Sequence, residues 1–353
     1  SNLLSALSGD GTKTIAVMGA TGAQGGSVVR AFHALGDENY EIRAITRNPE
    51  SEKAQAIAPL VKEVVKADGD DEESMVEAFK GCHSAFVVSN WWEDFSVDHE
   101  MKTLRTIKEA AKKAGIKHVV LSSVEDTRAY INKADNKETW VANEETGMYV
   151  PHFDGKGEVM EEYAAELPTT NLIVPFYMDN FIHFGMGPSR QADTDPYAIT
   201  FPMGTEKLSM VAVEDIGKCV CAVLQDSKSY IGKQVGVQGD ALPCADIAAT
   251  FAKICGQPVN YNAVPADVYA SFGFPGATDL AVMFRFYEEF AEDVVANRTP
   301  SDELVEKMGG VVTLEDFITK NKESFVLEET KEAVAEEKAA VVAPAQDVCC
   351  VIL

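Results

Sequence analysis

The sequence is short of basic residues, and this shortage excludes one class of partner. Among 353 residues there are 31 Lys and Arg against 56 Asp and Glu, which leaves a net charge of −25. An electrostatic field of this sign repels phosphate backbones and argues against direct binding of nucleic acid.

Paired cysteines and long hydrophobic runs are missing as well. The seven cysteines form no Cys-x-x-Cys pair, which excludes a zinc ribbon and indicates a reducing compartment, cytoplasmic or also nuclear. We expect most of them to be small buried residues. No apolar stretch approaches the roughly 18–20 residues of a spanning helix, and residues 1–7 resemble no signal peptide. The body of the protein is therefore predicted to be soluble.

What the sequence does contain is an alternation of apolar strands and amphipathic helices. Helical spacing joins Val28, Val29, Phe32 and Leu35 up to Gly36, and a later helix ends at Gly115. Strands are predicted at residues 14–18, 40–46, 61–67, 85–88, 118–121 and 171–174. This alternation predicts an α/β protein with the doubly wound parallel sheet of the NAD(P)-binding Rossmann fold.

The change of composition after Pro175 predicts the domain organisation. Aromatic residues, Gly and Pro become frequent there, and a strand at 234–237 lies between helices at 213–224 and 245–255. We predict an N-terminal tail (1–11), a Rossmann core (12–176), a smaller C-terminal pocket lobe (177–325) and an acidic tether (326–353).

A glycine-rich segment between the first strand and the first helix predicts a phosphate-binding turn. Gly19 permits the tight turn, Gly22 allows a pyrophosphate to approach the backbone, and Gly25 allows close packing of helix and strand. The amides at the helix N-terminus then face the anion. The alternative, a glycine turn without a ligand, is disfavoured by this context.

The end of the second strand bears on the choice of cofactor. An NAD-specific site usually has an acid there, but the segment contains Arg47, and the first acid is Glu50. A guanidinium suits a phosphate, so NADP(H) is predicted over NAD(H); the alternative is a solvated surface cation. Asp68, at the end of the third strand, is placed to accept from the adenine amino group, with a helix cap as the alternative.

Several motifs in order closely resemble the NmrA-like family of atypical short-chain dehydrogenases/reductases. The motifs are Gly-Ala-Thr-Gly-Ala-Gln-Gly-Gly from Gly19, Thr-Arg-Asn-Pro from Thr46, Ser-Asn-Trp-Trp-Glu from Ser89, His-Phe-Asp-Gly-Lys-Gly from His152, Gly-Phe-Pro-Gly-Ala from Gly273 and Met-Phe-Arg-Phe-Tyr from Met283. The likeness spans about residues 13–325 and implies an NADP(H)-binding body of the redox-sensor type.

The resemblance also implies a set of cofactor contacts. Residues 177–180 resemble the family's segment beside the nicotinamide, although Met178 and Asp179 differ from the commoner residues. The implied contacts are Gly19, Ala20, Thr21, Gly22, Ala23, Gln24, Arg47, Asn48, Asp68, Gly69, Ser89, Asn90, Trp91, Lys102, Lys156, Tyr177, Met178, Asp179 and Asn180.

The catalytic set of the wider superfamily is incomplete in this chain. Its Tyr-x-x-x-Lys pair corresponds to His152 and Lys156, and Ser122 stands where the polarising serine is expected. Histidine can donate a proton only when it is charged, and a neighbouring ammonium opposes that charge. A hydrogen-bonded structural role for His152 is therefore favoured, and Tyr177 is the better substitute for the missing phenol.

Two functions remain open at this point. The favoured one is a redox sensor in which NADP(H) binding changes a partner-binding surface, with little turnover. The alternative is an NADPH-dependent reductase of a small-molecule substrate that uses Lys156 as general acid/base. A homodimer is compatible with both.

The last four residues form a candidate lipidation signal. Cys350 is followed by Val, Ile and a terminal Leu, the pattern of a geranylgeranyl-type prenylation box, and Cys349 could carry a second acyl chain. In a eukaryotic chain this predicts peripheral attachment to a membrane through Cys350; in a bacterium it would have no meaning.

Overall fold

The computed structural model describes residues 11–190 and 197–327. The candidate lipidation residue Cys350, its neighbour Cys349 and the tether from 328 onwards lie outside the described residues, as do residues 1–10 of the tail.

The strands of the described part follow the predicted alternation. Their bounds are β1 (Lys13–Val17), β2 (Tyr40–Thr46), β3 (Glu63–Lys66), β4 (Ser84–Val87), β5 (His118–Ser123), β6 (Thr169–Ile173), β7 (Phe176–Tyr177), β8 (Tyr197–Phe201), β9 (Lys207–Val211), β10 (Gln234–Gly236), β11 (Asp240–Pro243) and β12 (Val259–Ala263). The bounds of β2 coincide with the prediction, whereas β3 is shorter than predicted and begins at Glu63; a short 3₁₀ turn occupies Ala58–Leu60.

The helices include those predicted from apolar spacing. Their bounds are α1 (Ala23–Leu35), α2 (Glu52–Ile57), α3 (Glu72–Phe79), α4 (Val97–Ala114), α5 (Arg128–Ile131), α6 (Pro151–Glu166), α7 (Asn180–His183), α8 (Val213–Gln225), α9 (Ser227–Tyr230), α10 (Cys244–Cys255), α11 (Ala266–Ala270), α12 (Ala277–Glu289), α13 (Ala291–Arg298), α14 (Asp302–Met308) and α15 (Leu314–Lys320). None of the helices described is long and apolar enough to cross a membrane.

Glycines in the left-handed conformation end two of the predicted helices. Gly36 has φ +61° and its amide donates to the carbonyl of Phe32, and Gly115 has φ +73°. Both ends were predicted from the glycines, which adopt this conformation without strain. Leu35 was expected in the apolar stripe of α1 but is 41% exposed, because the helix has already reached its exposed C-terminal end.

The central sheet confirms the predicted fold class. It has seven parallel strands in the order β10-β6-β5-β4-β1-β2-β3. Strand order reverses between β1 and β4, which is the point where doubly wound folds bind ligands. Alternate residues of β1 pack into two separate hydrophobic clusters, so the sheet is covered on both faces, as its near-continuous apolar strands predicted.

Residues beyond 177 contribute a strand to this sheet, a helix that packs on it, and two smaller sheets. Strand β10 pairs with β6 at the sheet edge, and α8 packs against α1. A Cβ atom on Gly217 of α8 would lie 2.3 Å from the carbonyl oxygen of Ser27, so glycine is required for this close approach. The remaining strands form a three-stranded sheet, β11-β9-β7, and a parallel pair, β12-β8.

Candidate functional site

A cavity of about 370 Å³ lies at the carboxyl ends of β1 to β4, where the strand order reverses. Twelve of the predicted cofactor contacts line it: Gly19, Thr21, Gly22, Ala23, Gln24, Arg47, Asn48, Asp68, Gly69, Ser89, Asn90 and Tyr177. The other seven, Ala20, Trp91, Lys102, Lys156, Met178, Asp179 and Asn180, are not among its lining residues. The tertiary structure therefore brings together most of the predicted set.

The glycine-rich segment forms a tight turn at the floor of this cavity. Gly19 has φ +57°, and the amide of Gly22 donates to the carbonyl of Gly19 at 2.8 Å. A Cβ on Gly25 would lie 2.3 Å from the carbonyl oxygen of Gly19, so α1 packs on the end of β1 at a distance only glycine permits. The first turn of α1 thus faces the cavity with free backbone amides, a geometry that favours a bound anion. Ala20 is fully buried behind the turn.

Arg47 lies at the cavity wall and is paired with a carboxylate. It forms an ion pair with Glu93, which follows β4 and also lines the cavity. Their side chains are 60% and 42% exposed, so the guanidinium remains accessible from solvent. A planar guanidinium at this position can bind a phosphate if it exchanges partners.

Asp68 lies in the cavity wall, and the helix-cap alternative for it is wrong. The N-cap of α3 is Asp71, whose side chain accepts from the amides of Glu73 and Ser74. The carboxylate of Asp68 accepts from the amide of Asp70 at 3.2 Å and stabilises the turn after β3. At Gly69 a Cβ would lie 2.8 Å from the methyl group of Thr103, so glycine lets this turn approach α4.

His99 joins two of the loops that wall the cavity. Its Nε2 lies 2.7 Å from a carboxylate oxygen of Asp70, and its Nδ1 contacts a carboxylate oxygen of Asp94. Asp70 also accepts from the hydroxyl of Thr103. The hydrogen bonds to Asp70 and Asp94 raise the pKa of His99 above its usual 6.5, because both stabilise the imidazolium.

We expect the His99 contacts to weaken as pH rises. The folded pKa exceeds the unfolded value, so their contribution to stability is complete below pH 6.5 and is lost as pH rises through the folded pKa. Titration of the imidazole by NMR should give a pKa above 6.5 that falls in Asp70→Asn and Asp94→Asn. The exposed neighbour Asp98 is not bonded to His99 and provides the matched control, Asp98→Asn. An equal decrease in Asp98→Asn would contradict this assignment.

Lys156 is buried and ion-paired rather than exposed to the cavity. Its Nζ lies 3.3 Å from a carboxylate oxygen of Glu100, which also accepts from the hydroxyl of Ser89 at 2.8 Å. Glu100 and Ser89 line the cavity, so the lysine is linked to it through the carboxylate. The second oxygen of Glu100 is buried and has no hydrogen-bond partner.

Two glycines explain how α6 brings Lys156 to this position. A Cβ on Gly155 would lie 2.6 Å from a methyl carbon of Val97, and one on Gly157 would lie 2.5 Å from the Cβ of Asp126. Both glycines therefore permit close packing of α6 against its neighbours, and the lysine between them reaches Glu100.

His152 lies in the aromatic core, and the hydrogen-bonded structural role considered for it is wrong. Its ring packs 5.5 Å from Trp91, 5.7 Å from Trp92 and 4.9 Å from Phe153, measured between ring centroids. Neither ring nitrogen has a hydrogen-bond partner, so it is not a hydrogen-bonded structural residue. Burial, with a further contribution from Lys156, holds its pKa well below the usual range. A neutral, enclosed imidazole is poorly placed to donate a proton to a substrate, which counts against the acid role of His152.

Trp91 is 2% exposed and belongs to the same core, which is why it does not line the cavity. Its indole N–H is buried without a hydrogen-bond partner. Its ring packs against His152, so the Trp91 side chain belongs to the core.

Tyr177 is the phenol that does lie at the cavity. Its hydroxyl accepts a hydrogen bond from the side-chain amide of Gln24 at 2.6 Å, across 153 residues of sequence. Complete burial raises the pKa of Tyr177, so it is a neutral hydrogen-bonding group. The side-chain oxygen of Gln24 is buried and has no hydrogen-bond partner, although the residue lines the cavity.

The remaining predicted residues have structural positions around the site. Met178 is buried, and Asp179 accepts from the amide of Val213 at the start of α8. Asn180 is fully buried, and neither its amide nitrogen nor its oxygen has a partner. Ser122 is buried near the end of β5, and Lys102 is exposed on α4; neither lines the cavity.

The sequence prediction missed several polar residues that line the cavity. These are Asp70, Glu93, Asp94, His99, Glu100 and Thr103. The last three belong to the first two turns of α4. The available signal was the N-cap Ser96 followed by acidic residues, which indicates where α4 begins after β4 but not which side faces the cavity.

Comparison with known sequences identifies the family to which the chain is similar. The sequence model of the NmrA-like family matches residues 11–318. An NmrA-like family domain-containing oxidoreductase, malD of Malbranchea aurantiaca, is 32% identical over 261 residues, covering 71% of this chain and 75% of that protein. A second, FrzB of a Cladobotryum species, is 29% identical over 302 residues, covering 78% and 84%.

Solved structures share the fold over most of the chain. The crystal structure of Nmra, a negative transcriptional regulator, in complex with NAD has a TM-score of 0.70 at 22% identity, covering 90% of this chain and 98% of that one. The triphenylmethane reductase of a Citrobacter species, complexed with NADP(H), has a TM-score of 0.66 at 21% identity, covering 89% and 100%.

Proposed function

The chain belongs to the NmrA-like family, as its motifs predicted, and from that premise we propose that it binds NADP(H) and acts as a redox sensor that regulates a partner protein. Classical dehydrogenase turnover is expected to be small or absent.

The cavity supports the cofactor part of this proposal. A glycine turn and the first turn of α1 present backbone amides to an anion, and Arg47 offers a cation at the end of β2. Unpartnered buried oxygens of Gln24 and Glu100, which both line the cavity, remain as unused hydrogen-bonding capacity there. Solved relatives with the same fold hold NAD or NADP(H).

The sensor role rests on one observation, the surroundings of the two candidate acid–base residues, His152 and Lys156. Hydride transfer to a carbonyl needs a positioned proton donor. His152 is enclosed by aromatic rings in its neutral form, and Lys156 is held by the Glu100 carboxylate. The glycine turn is thus present, while the residue at the superfamily's proton-donor position is buried and neutral, which supports the sensor over the dehydrogenase.

Thiol chemistry offers little alternative as the redox signal in the described part of the chain. The structure describes five free cysteines: Cys82, Cys219, Cys221 and Cys244 are buried and Cys255 is half-buried. Burial raises the pKa of each of these thiols, to about 12 for Cys244. Thiols of this kind are poor nucleophiles because the thiolate is disfavoured. The nicotinamide itself is therefore the redox-active group in our proposal.

Ion pairs between loops supply a route from cofactor binding to the protein surface. The loops after β2 and β4 are connected by Arg47 and Glu93, and those after β3 and β4 by His99. A ligand that binds among these side chains replaces some of these ion pairs. The conformation of the loops then shifts, and with it the surface that a partner protein contacts.

A reductase that uses Lys156 is the second candidate. It is favoured by the relatives named oxidoreductases and by the direct contact of Lys156 with a residue lining the cavity. Loss of the Glu100 contact on substrate binding would free the lysine for proton transfer.

One experiment tests both candidates. For the sensor we expect saturable binding of NADP⁺ and NADPH, and protection of residues 47–51 and 89–96 from amide hydrogen exchange when either binds. We also expect no consumption of NADPH with aldehydes, ketones or quinones.

The reductase is tested by comparing Lys156→Ala with Lys253→Ala, which changes an exposed lysine on α10. NADPH oxidation that Lys156→Ala abolishes and Lys253→Ala preserves would replace the sensor by the reductase.

Two further parts of the proposal, the interaction partners and the location in the cell, rest on the sequence alone. A partner protein, a small-molecule substrate and a second copy of the chain are the candidates for interaction. Attachment to a membrane through a prenylated Cys350 and residence in the cytoplasm or nucleus are part of the same proposal.

A further inference from the structure

We infer that Glu93 is a specificity-determining residue that weakens the preference for a phosphorylated adenosine ribose. This inference deepens the proposed function and depends on dinucleotide binding in the cavity. Glu93 supplies, from the loop after β4, the carboxylate that Rossmann proteins selective for NAD usually carry at the end of β2.

The first observation is the position of Glu93 relative to Arg47. The two residues are 46 positions apart in sequence, yet their side chains meet at the cavity wall. The strands β2 and β4 both pair with β1, so the loops after them lie on either side of its end. The cation predicted to select the phosphate is therefore already bound to an acid.

The second observation is that the backbone at Glu93 is anchored. Glu93 ends a short 3₁₀ turn, Trp91–Glu93, whose two tryptophans are buried in the core. The amide of Phe95 donates to the carbonyl of Trp91 at 3.0 Å and closes the turn. The neighbouring Asp94 is bonded to His99, which restricts the loop further. In the ligand-free chain these contacts consequently hold Glu93 near Arg47, where an incoming ribose meets both side chains.

A ribose with a 2′-phosphate and one with a 2′-hydroxyl interact differently with the Arg47–Glu93 ion pair. A 2′-phosphate must take Arg47 from Glu93 and then lie beside a carboxylate of the same charge, which opposes its binding. A 2′-hydroxyl can donate to Glu93 while Arg47 keeps its ion pair. Glu93 therefore disfavours NADP⁺ and supports NAD⁺. Because both side chains are substantially exposed, solvent screens the repulsion and keeps the effect moderate.

The test compares the affinities of NADP⁺ and NAD⁺ for the full chain and for Glu93→Gln, by calorimetry. We expect NADP⁺ to bind about tenfold more tightly to the variant, while NAD⁺ binding stays equal or weakens up to about threefold. The pair 2′,5′-ADP and 5′-AMP, which differ in the 2′-phosphate, should show the same change in ratio. The change should shrink between about 0.05 and 0.5 M NaCl, because salt screens exposed charges.

The matched control is Glu50→Gln. Glu50 is the first acid after β2, and its exposed side chain is not among the cavity-lining residues, so the variant loses the same charge near the site without losing the contact. The inference is overturned if Glu93→Gln changes both affinities by the same factor, or if Glu50→Gln changes the ratio as much. If the unmodified chain binds neither dinucleotide, the proposed function fails and the inference fails with it. Binding of both with no change of ratio rejects the inference alone.

Discussion

Replacing Glu125 with glutamine is expected to lower the free energy of unfolding by about 3–5 kcal/mol, because it leaves a buried guanidinium without its counter-charge. Arg298 is fully buried and donates two hydrogen bonds to the carboxylate of Glu125, at 2.8 and 2.7 Å. The guanidinium also lies 4.3 Å from the ring centroid of Tyr287. Urea denaturation monitored by circular dichroism measures the change.

Two further variants separate charge burial from other effects. Removing both charges in Glu125→Leu/Arg298→Met should restore stability to within about 1 kcal/mol of the original chain, since no unpaired charge remains. At the exposed pair of Lys253 and Glu315, Glu315→Gln should cost less than about 1 kcal/mol. A loss in Glu125→Gln as small as that in Glu315→Gln would show that the buried pair contributes no special stability.

The position of this pair explains why its loss should affect the whole chain. Glu125 follows β5 of the central sheet, and Arg298 ends α13 in the C-terminal part, 173 residues later. A Cβ on Gly236 of β10 would lie 2.3 Å from backbone atoms of Arg298, so the sheet edge packs directly on this residue. The ion pair thus connects the two parts of the chain, and its rupture should unfold them together.

A methyl group at Gly25 is expected to weaken dinucleotide binding by about 100-fold, or about 2.7 kcal/mol. The added Cβ would lie 2.3 Å and 2.4 Å from the carbonyl oxygens of Gly19 and Met18, which are backbone atoms with little freedom to move. The start of α1 must then move away from β1, which displaces the amides that face the anion. Calorimetric titration of Gly25→Ala with NADP⁺ measures the loss.

Gly26→Ala provides the matched control in the same helical turn. Its Cβ would meet a guanidinium nitrogen of Arg30 at 3.1 Å and the carbonyl oxygen of Ala20 at 3.3 Å, and the arginine side chain can move. We expect its affinity to stay within about threefold of the original, because alanine also favours the helix over glycine. Equal losses in both variants would contradict the role assigned to Gly25, and thermal denaturation of each identifies any loss caused by unfolding.

The local features of the site were predictable from sequence because they depend on neighbouring residues. The bounds of β2 and the ends of α1 and α4 followed from apolar spacing and from Gly36 and Gly115. The turn at Gly19 has the positive φ that the motif requires. Twelve of nineteen predicted cofactor contacts line one cavity because the carboxyl ends of parallel strands meet at one edge of the sheet.

The errors concern residues whose surroundings come from distant parts of the chain. His152 was considered as a hydrogen-bonded structural residue, but the rings of Trp91 and Trp92 enclose it without a hydrogen bond. Asp68 was considered as a helix cap, but α3 begins later, at Glu72, and its N-cap is Asp71. The type of residue was known in each case, whereas its environment depends on packing between elements.

The sequence alone determined the fold class, the glycine turn and the position of a cation after the second strand, because strand periodicity and backbone freedom are local properties. Only the tertiary structure decided which charges meet. It placed Glu93 on Arg47, Glu100 on Lys156 and Glu125 on Arg298. Each of these carboxylates comes from an element far from its partner in sequence, and whether a cation is free, paired or buried depends on that contact.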